Sequence, residues 1–120
     1  MNAKKNEDAQ RALRRLYDET LAGDFSCVAT LFHPEYRSLT EAGEDSVDAF
    51  IAGTRKLLAE YEILRRDVVL TLGDDQHVGI LHRIGLRRRE HGSAPFEQLR
   101  TDIYRIESTQ FIEHWGVPPF

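Results

Sequence analysis

The spacing of the apolar residues changes once along the chain, near Tyr61, and this change most constrains the fold. Before Tyr61 apolar side chains recur at steps of three and four residues, the period of a helix with one buried face. After it they recur at every second residue, the period of a strand with one buried face. The chain therefore places its helices before most of its strands.

Three segments carry the helical period. We predict helices over residues 6–22, 25–32 and 46–61. Gly23 is placed to end the first, Pro34 to stop the second, and Ser46 to cap the third. Gly53 lies inside the third helix and is expected to mark a close contact, because glycine there costs stability.

Four strands are predicted after Tyr61, joined by short turns. The first carries one face made of Leu64, Val68, Leu70 and Leu72, and the second one made of Val78, Ile80, His82, Ile84 and Leu86. Residues 98–107 and 110–117 form the third and fourth, with a turn at Ser108–Thr109. Residues 36–40 form a short strand or an extended connection, residues 41–45 are turn-like, and Pro118 and Pro119 end the ordered chain. Because no connection leaves room for a βαβ crossover, the pattern predicts an α+β fold with a mainly antiparallel sheet.

Composition narrows the class of protein. The 120 residues predict a single domain, 1–120, and 41% hydrophobic with 30% charged residues is typical of a globular chain. A formal net charge of −4 gives no general attraction to nucleic acid, so the basic run at residues 87–89 is interpreted as a solvated strand end or a hairpin. A lone cysteine, Cys27, a polar start and no long apolar run predict a cytoplasmic protein without a membrane partner.

His82 and Asp102 are the first two candidates for chemistry. His82 shares a face with apolar residues, so it is either a satisfied core residue or a pocket acid, base or donor. Asp102 lies mid-strand, where aspartate is disfavoured, between Thr101 and Ile103. It is either exposed and paired with an arginine, or buried in an apolar pocket with a raised pKa that suits a general acid or base.

The end of the chain supplies further candidates. Alternation puts His114 and Trp115 on opposite faces, so one can face a pocket and the other packs elsewhere. Tyr36 and Tyr104 either donate to a carbonyl oxygen or serve as aromatic packing. The histidines show no close metal-ligand spacing, and no phosphate loop is present, so we predict no metal and no cofactor.

Three stretches of the sequence resemble a known family. Residues 101–107 (TDIYRIE) and 111–115 (FIEHW) are similar to the C-terminal hairpin of SnoaL-like proteins, whose pattern ends in Glu-His-Trp-Asp. Residues 78–82 (VGILH) resemble a strand of the predicted aldol-condensation branch of that family. Residues 36–53 are similar in layout to its Tyr-x-x-His-Asn-Pro segment, turn and third helix.

The resemblance implies a cone-shaped barrel shared with nuclear transport factor two and ketosteroid isomerase, and a homodimer formed through the sheet face away from the helices. It also implies cofactor-free polyketide cyclisation by proton transfer next to a carbonyl, with Asp102 as general acid or base. His82 and His114 match family histidines. Where the family has a histidine this chain has Leu39, which we expect to make the pocket mouth apolar and to remove ring-closing aldol activity.

Three hypotheses for function follow. The protein is a cofactor-free isomerase, cyclase or lyase, or a binding module for a small apolar ligand, or a dimeric structural protein with a vestigial pocket. The partner in the first two is a small apolar or carbonyl-containing molecule. The catalytic candidates are Asp102, His82 and His114. The ligand-contacting candidates are Tyr17, Tyr36, Leu39, Phe50, Tyr104 and Trp115.

Overall fold

The helices and strands follow the predicted order with one exception. The computed structural model describes residues 3–39 and 46–116. Its elements are α1 (Ala3–Thr20), α2 (Val28–Leu31), β1 (Phe32–Ser38), α3 (Val47–Glu60), β2 (Tyr61–Gly73), β3 (His77–Arg88), β4 (Phe96–Glu107) and β5 (Gln110–Gly116). The exception is β1, a full strand that precedes α3. The predicted turn at residues 41–45 and the predicted chain end at Pro118 and Pro119 lie outside the described residues.

One mixed sheet contains all five of these strands, in the order β1-β5-β4-β3-β2. The strands from β2 to β5 pair antiparallel with their sequence neighbours, and β1 pairs parallel with β5. β1 is therefore an edge strand, which explains why Pro34 can lie within it instead of only stopping the helix before it. The predicted second helix is shorter than expected because the chain becomes extended at Phe32.

The helices begin and end where the side chains dictate. The Ser46 hydroxyl accepts a hydrogen bond from the Ala49 amide at 3.0 Å, which confirms Ser46 as the N-cap of α3. After α1 the chain turns at Gly23, whose φ of 90° favours glycine. Apart from its chain neighbours and the backbone of its own helix, no described atom lies within 4 Å of the position that a Gly53 side chain would take, so the predicted close contact there is wrong.

The core lies between the helices and one face of the sheet, here called the inner face. Leu13, Leu16 and Tyr17 of α1 are buried against it. The predicted buried face of β3 is confirmed, since its five members are at most 2% exposed; they are Val78, Ile80, His82, Ile84 and Leu86.

The predicted buried face of β2 is wrong. Leu64, Leu70 and Leu72 are 42–58% exposed, and only Val68 packs on the core. Pairing with β3 shifts register between Ile63 and Arg65, and again between Val68 and Leu70. Each extra residue reverses the alternation of side chains along the strand.

Two polar side chains of β2 face α1: Arg66, which keeps the alternation of Val68, and Thr71, which follows the second register shift. Arg66 forms an ion pair with Asp18, and the Thr71 hydroxyl donates to Gln10 at 2.6 Å. The strand therefore contributes polar groups to the inner face where apolar ones were expected.

The opposite face of the sheet, here called the outer face, carries partly exposed apolar side chains. Leu72, Gly79, Ile103 and Trp115 follow one another across four strands in register. Arg105 and Glu113 form an ion pair in the next register position. The outer face is thus an apolar row bordered by charge.

Candidate functional site

Asp102 lies at the middle of the inner face and is completely buried. It pairs across the sheet with Ile80 of β3 and Gly116 of β5. The alternative of an exposed aspartate is wrong, although an arginine pairing is present. A charged group without solvent needs hydrogen-bond donors around it.

Three side chains donate to the Asp102 carboxylate. Nε2 of His114 lies 2.7 Å from Oδ1, Nε of Arg100 lies 2.9 Å from Oδ2, and Nε2 of His82 lies 3.3 Å from Oδ2. The donors come from β3, β4 and β5, so the carboxylate joins three strands.

The expected raised pKa of Asp102 is wrong. Burial raises the pKa and is the largest single effect, but hydrogen bonds from His114 and His82 and the charge of Arg100 together outweigh it. The net result is a pKa well below the ordinary aspartate value. Asp102 is therefore an ionised acceptor that holds its neighbours in place, because so acidic a carboxyl group is a weak base.

His82 is held as a neutral donor. Nη1 of Arg66 lies 3.3 Å from its Nδ1, and a guanidinium can only donate, so Nδ1 accepts. The proton of the ring is then on Nε2, where it is donated to Asp102. With both nitrogens engaged and the ring fully buried, His82 supports the carboxylate and is not positioned to exchange protons with a ligand.

His114 differs from His82 in its surroundings. Its Nε2–H is donated to Asp102, while Nδ1 points toward Ser38 Oγ at 3.5 Å. The ring stacks on Tyr104 with centroids 4.4 Å apart and lines an open cavity. An ionised aspartate behind one nitrogen fixes the tautomer and leaves the other nitrogen able to accept a proton.

The cavity beside His114, here called the site cavity, has a volume of about 300 Å³. Its sheet wall is mostly polar and carries Tyr36, Ser38, Arg100 and His114. Its helix wall is mostly apolar and consists of Tyr17, Leu21, Ala49, Phe50, Gly53, Thr54 and Leu57. A small molecule inside would meet hydrogen-bonding groups on one side and hydrocarbon on the other.

Two buried tyrosines meet between α1 and β4. The hydroxyls of Tyr17 and Tyr104 lie 2.7 Å apart and satisfy each other. Burial raises the pKa of both tyrosines and of Tyr36, so these hydroxyls remain protonated. Tyr36 and Tyr17 line the site cavity, whereas Tyr104 packs beneath His114.

Three predicted ligand contacts do not reach the site cavity, and one of them is Tyr104, which packs beneath His114. Leu39 is 39% exposed and is not among the described residues that line it, so its expected place at the pocket mouth is wrong. The preceding residue, Ser38, points inward instead, since neighbours in a strand face opposite ways. Trp115 lies on the outer face, 37% exposed, beside His77, and so neither packs in the core nor lines the cavity.

Sequence reasoning did not assign roles to Arg66, Ser38 or Arg100. The only signal for Arg100 was its position two residues before Asp102, which puts both on one face of β4. Arg66 had the same kind of signal, since it lies two residues from both Leu64 and Val68 of the predicted face of β2.

Across residues 3–39 and 46–116, no three His, Cys, Asp or Glu side chains are arranged to hold a metal ion. None of the helices in those ranges is long and apolar enough to cross a bilayer.

The architecture matches several solved structures over nearly their whole length. TsrD from Streptomyces laurentii is 18% identical, with 98% of this chain and 90% of that chain covered and a TM-score of 0.79. A candidate SnoaL-like polyketide cyclase from a Jannaschia species is 14% identical, with 98% and 89% covered and a TM-score of 0.78. The chain has the SnoaL-like fold.

The predicted fold class is therefore confirmed. A candidate isomerase from Rhodopseudomonas palustris is also similar in structure, at 10% identity, with 88% of this chain and 87% of that chain covered and a TM-score of 0.71. No family model matches the sequence, and no curated protein matches it. These identities establish the fold, and the function must be argued from the site itself.

Proposed function

We propose that this protein is a cofactor-free enzyme that transfers a proton at a carbon next to a carbonyl group of a small molecule, with His114 as the general base and acid. The observation that carries the proposal is the pairing of His114 Nε2 with Asp102 Oδ1 at 2.7 Å, which leaves Nδ1 beside Ser38 on the wall of the site cavity. Asp102 is then a positioning residue.

The step needs no co-reactant. Nδ1 of His114 removes a proton from the carbon, the electron pair of that C–H bond forms the enolate, and the carbonyl oxygen takes the negative charge. The imidazolium formed is stabilised by Asp102, and it returns the proton to the carbon or to the oxygen. Arg100 and the Tyr36 hydroxyl on the same wall supply donors for the enolate oxygen.

Hydrogen–deuterium exchange tests this directly. Aryl and cyclic ketones in deuterated buffer should lose the NMR signal of the protons next to the carbonyl when the protein is added. His114→Gln should slow this exchange by about a hundredfold or more, the usual contribution of a general base. His91→Gln, in an exposed loop, is the matched control and should exchange at the wild-type rate. Exchange that survives His114→Gln would exclude His114 as the base.

A binding module is the second candidate, favoured by the apolar helix wall of the site cavity. It predicts that ketones raise the melting temperature of the protein while their exchange rates stay at the solvent value. The hypothesis of a vestigial pocket has less support, because it predicts a filled cavity, whereas about 300 Å³ of the site cavity is open.

We also propose that two copies associate through the outer face. Ile103 and Trp115 on that face are 39% and 37% exposed, and Leu72 is 58% exposed. Contiguous apolar surface of this kind is stabilised by a protein partner. Sedimentation should give a dimer for the wild type and a monomer for Ile103→Glu. A wild-type monomer at micromolar concentration would refute the association.

A further inference from the structure

The two terminal nitrogens of Arg100 have no protein acceptor among the described residues. Its side chain is 25% exposed and lines the site cavity. One contact with Asp102, through Nε, accounts for its hydrogen bonds within residues 3–39 and 46–116. A guanidinium carries five N–H donors in a planar fork, so four of them belong to the two terminal nitrogens.

The site cavity also presents a cation at its surface. Its lining contains Arg100 and no Asp or Glu among the described residues. Asp102 lies behind the wall with both of its oxygens occupied by the three donors. A negative group in the cavity would meet the guanidinium, while the facing helix residues Phe50 and Leu57 offer only hydrocarbon.

We propose that the substrates of this cavity are oxo acids, which carry a carboxylate beside the reacting carbonyl. The inference rests on the proposed proton transfer by His114. Arginine binds carboxylates through two parallel hydrogen bonds. In a 2-oxo acid the ketone oxygen and one carboxylate oxygen lie on the same side, so the two terminal nitrogens of Arg100 can each donate to one.

This arrangement also places the reacting carbon. Arg100 and His114 donate to different oxygens of the same Asp102 carboxylate, so they are adjacent on the sheet wall. A ketone held on Arg100 presents its neighbouring CH₂ toward His114. The guanidinium then stabilises the charge that reaches the ketone oxygen when the proton leaves. The step needs no other reactant, because His114 returns the proton that it removes and the electron pair stays on the substrate.

A matched pair of ligands tests the inference. The probes are 4-phenyl-2-oxobutanoate and 4-phenylbutan-2-one, which share the phenyl ring, the chain and the ketone and differ in the carboxylate. Calorimetry with the wild-type protein should show the oxo acid binding about tenfold tighter or more. Arg100→Gln should remove this preference, and Arg83→Gln on the outer face, the matched control, should keep it. If Arg100→Gln does not fold, Arg100→Lys replaces it and should reduce the preference, because a lysine lacks the fork.

The outcomes separate this inference from the proposed function. Equal binding of the two probes, or a preference that persists in the Arg100 variants, overturns the oxo-acid inference. If the ketone then still exchanges its protons through His114, the proposed function stands alone. A preference that depends on Arg100, without exchange of the CH₂ protons, supports the oxo-acid site and refutes the proton transfer.

Discussion

Asp102→Asn is the substitution that the structure makes most informative. An aspartate accepts on both oxygens, whereas an asparagine accepts on one atom and donates from the other. Three donors surround this side chain, from His114, Arg100 and His82. In either orientation of the amide, at least one N–H faces the asparagine NH₂ group, and Arg100 loses its counter-charge.

The cost can be worked out from the burial of the partners. Breaking a buried ion pair by removing one member costs about 3–5 kcal/mol in the free energy of unfolding. Because Arg100 is 25% exposed and water can reach part of it, we expect the lower end, about 3 kcal/mol. For a domain of this size such a loss lowers the melting temperature by roughly 10–15 °C.

The stability lost in Asp102→Asn depends on pH and is greater at neutral than at acidic pH. The folded-state pKa of Asp102 is depressed, so the carboxylate contributes stability that is fully present above the unfolded-state pKa of about 3.9 and is lost as the pH falls below it. The stability difference between the wild type and Asp102→Asn should therefore be largest near neutral pH. It should shrink as the pH falls below about 4.

Urea unfolding followed by circular dichroism, at several pH values, measures both quantities. Asp67→Asn is the matched control, because Asp67 pairs with Arg65 at 3.0 Å with both side chains more than half exposed. An exposed pair of this kind contributes about 1 kcal/mol or less. If Asp102→Asn unfolds within 1 kcal/mol of the wild type near neutral pH, the carboxylate does not organise the site and the reasoning is refuted.

Three further predictions follow from single contacts. Arg66→Met should free His82 from its fixed tautomer, so nitrogen NMR of the ring should show two exchanging forms. An unchanged spectrum would contradict the proposed role of Arg66. Tyr17→Phe should lower the free energy of unfolding by about 1–3 kcal/mol, because it leaves the Tyr104 hydroxyl unsatisfied. The double variant with both Tyr17 and Tyr104 changed to phenylalanine should lose less, and a double-mutant cycle by urea unfolding measures the difference. Gly116→Ala should lower the free energy of unfolding by about 1–3 kcal/mol, because the new Cβ would lie 2.8 Å from the buried Asp102 carboxylate. Gly53→Ala, at an open helix position, should instead raise it by about 0.5–1 kcal/mol. Equal melting temperatures of the two variants would contradict this contrast.

The fold was predictable wherever one period decided the structure. Alternation along β3 placed His82 correctly because that strand is regular and buried on one face. The same reasoning failed on β2, where two register shifts exchange the faces. Such shifts depend on how a strand fits its neighbours, and a period of two cannot reveal them.

The sequence predicted which residues form the site, but the roles predicted for them were wrong. Asp102 and His114 lie together as expected, but the pKa of Asp102 is lowered because three donors converge on it from separate strands. A single sequence shows burial through its pattern, whereas it does not show which polar groups meet. For the same reason Leu39 was expected at the cavity, although Ser38 is the residue that faces it.

The pairing of β1 with β5 has a consequence for how the chain folds. Hairpins from β2 to β5 join residues close in sequence, but Phe32 pairs with Phe111, about 80 residues later, and that loop is costly to close. We expect the hairpins to form early and the parallel edge to close late. Ser38 and His114 pair on that edge, so the sheet wall of the site cavity would be the last part to assemble and the first to open. Variants that loosen it should speed unfolding more than they slow folding.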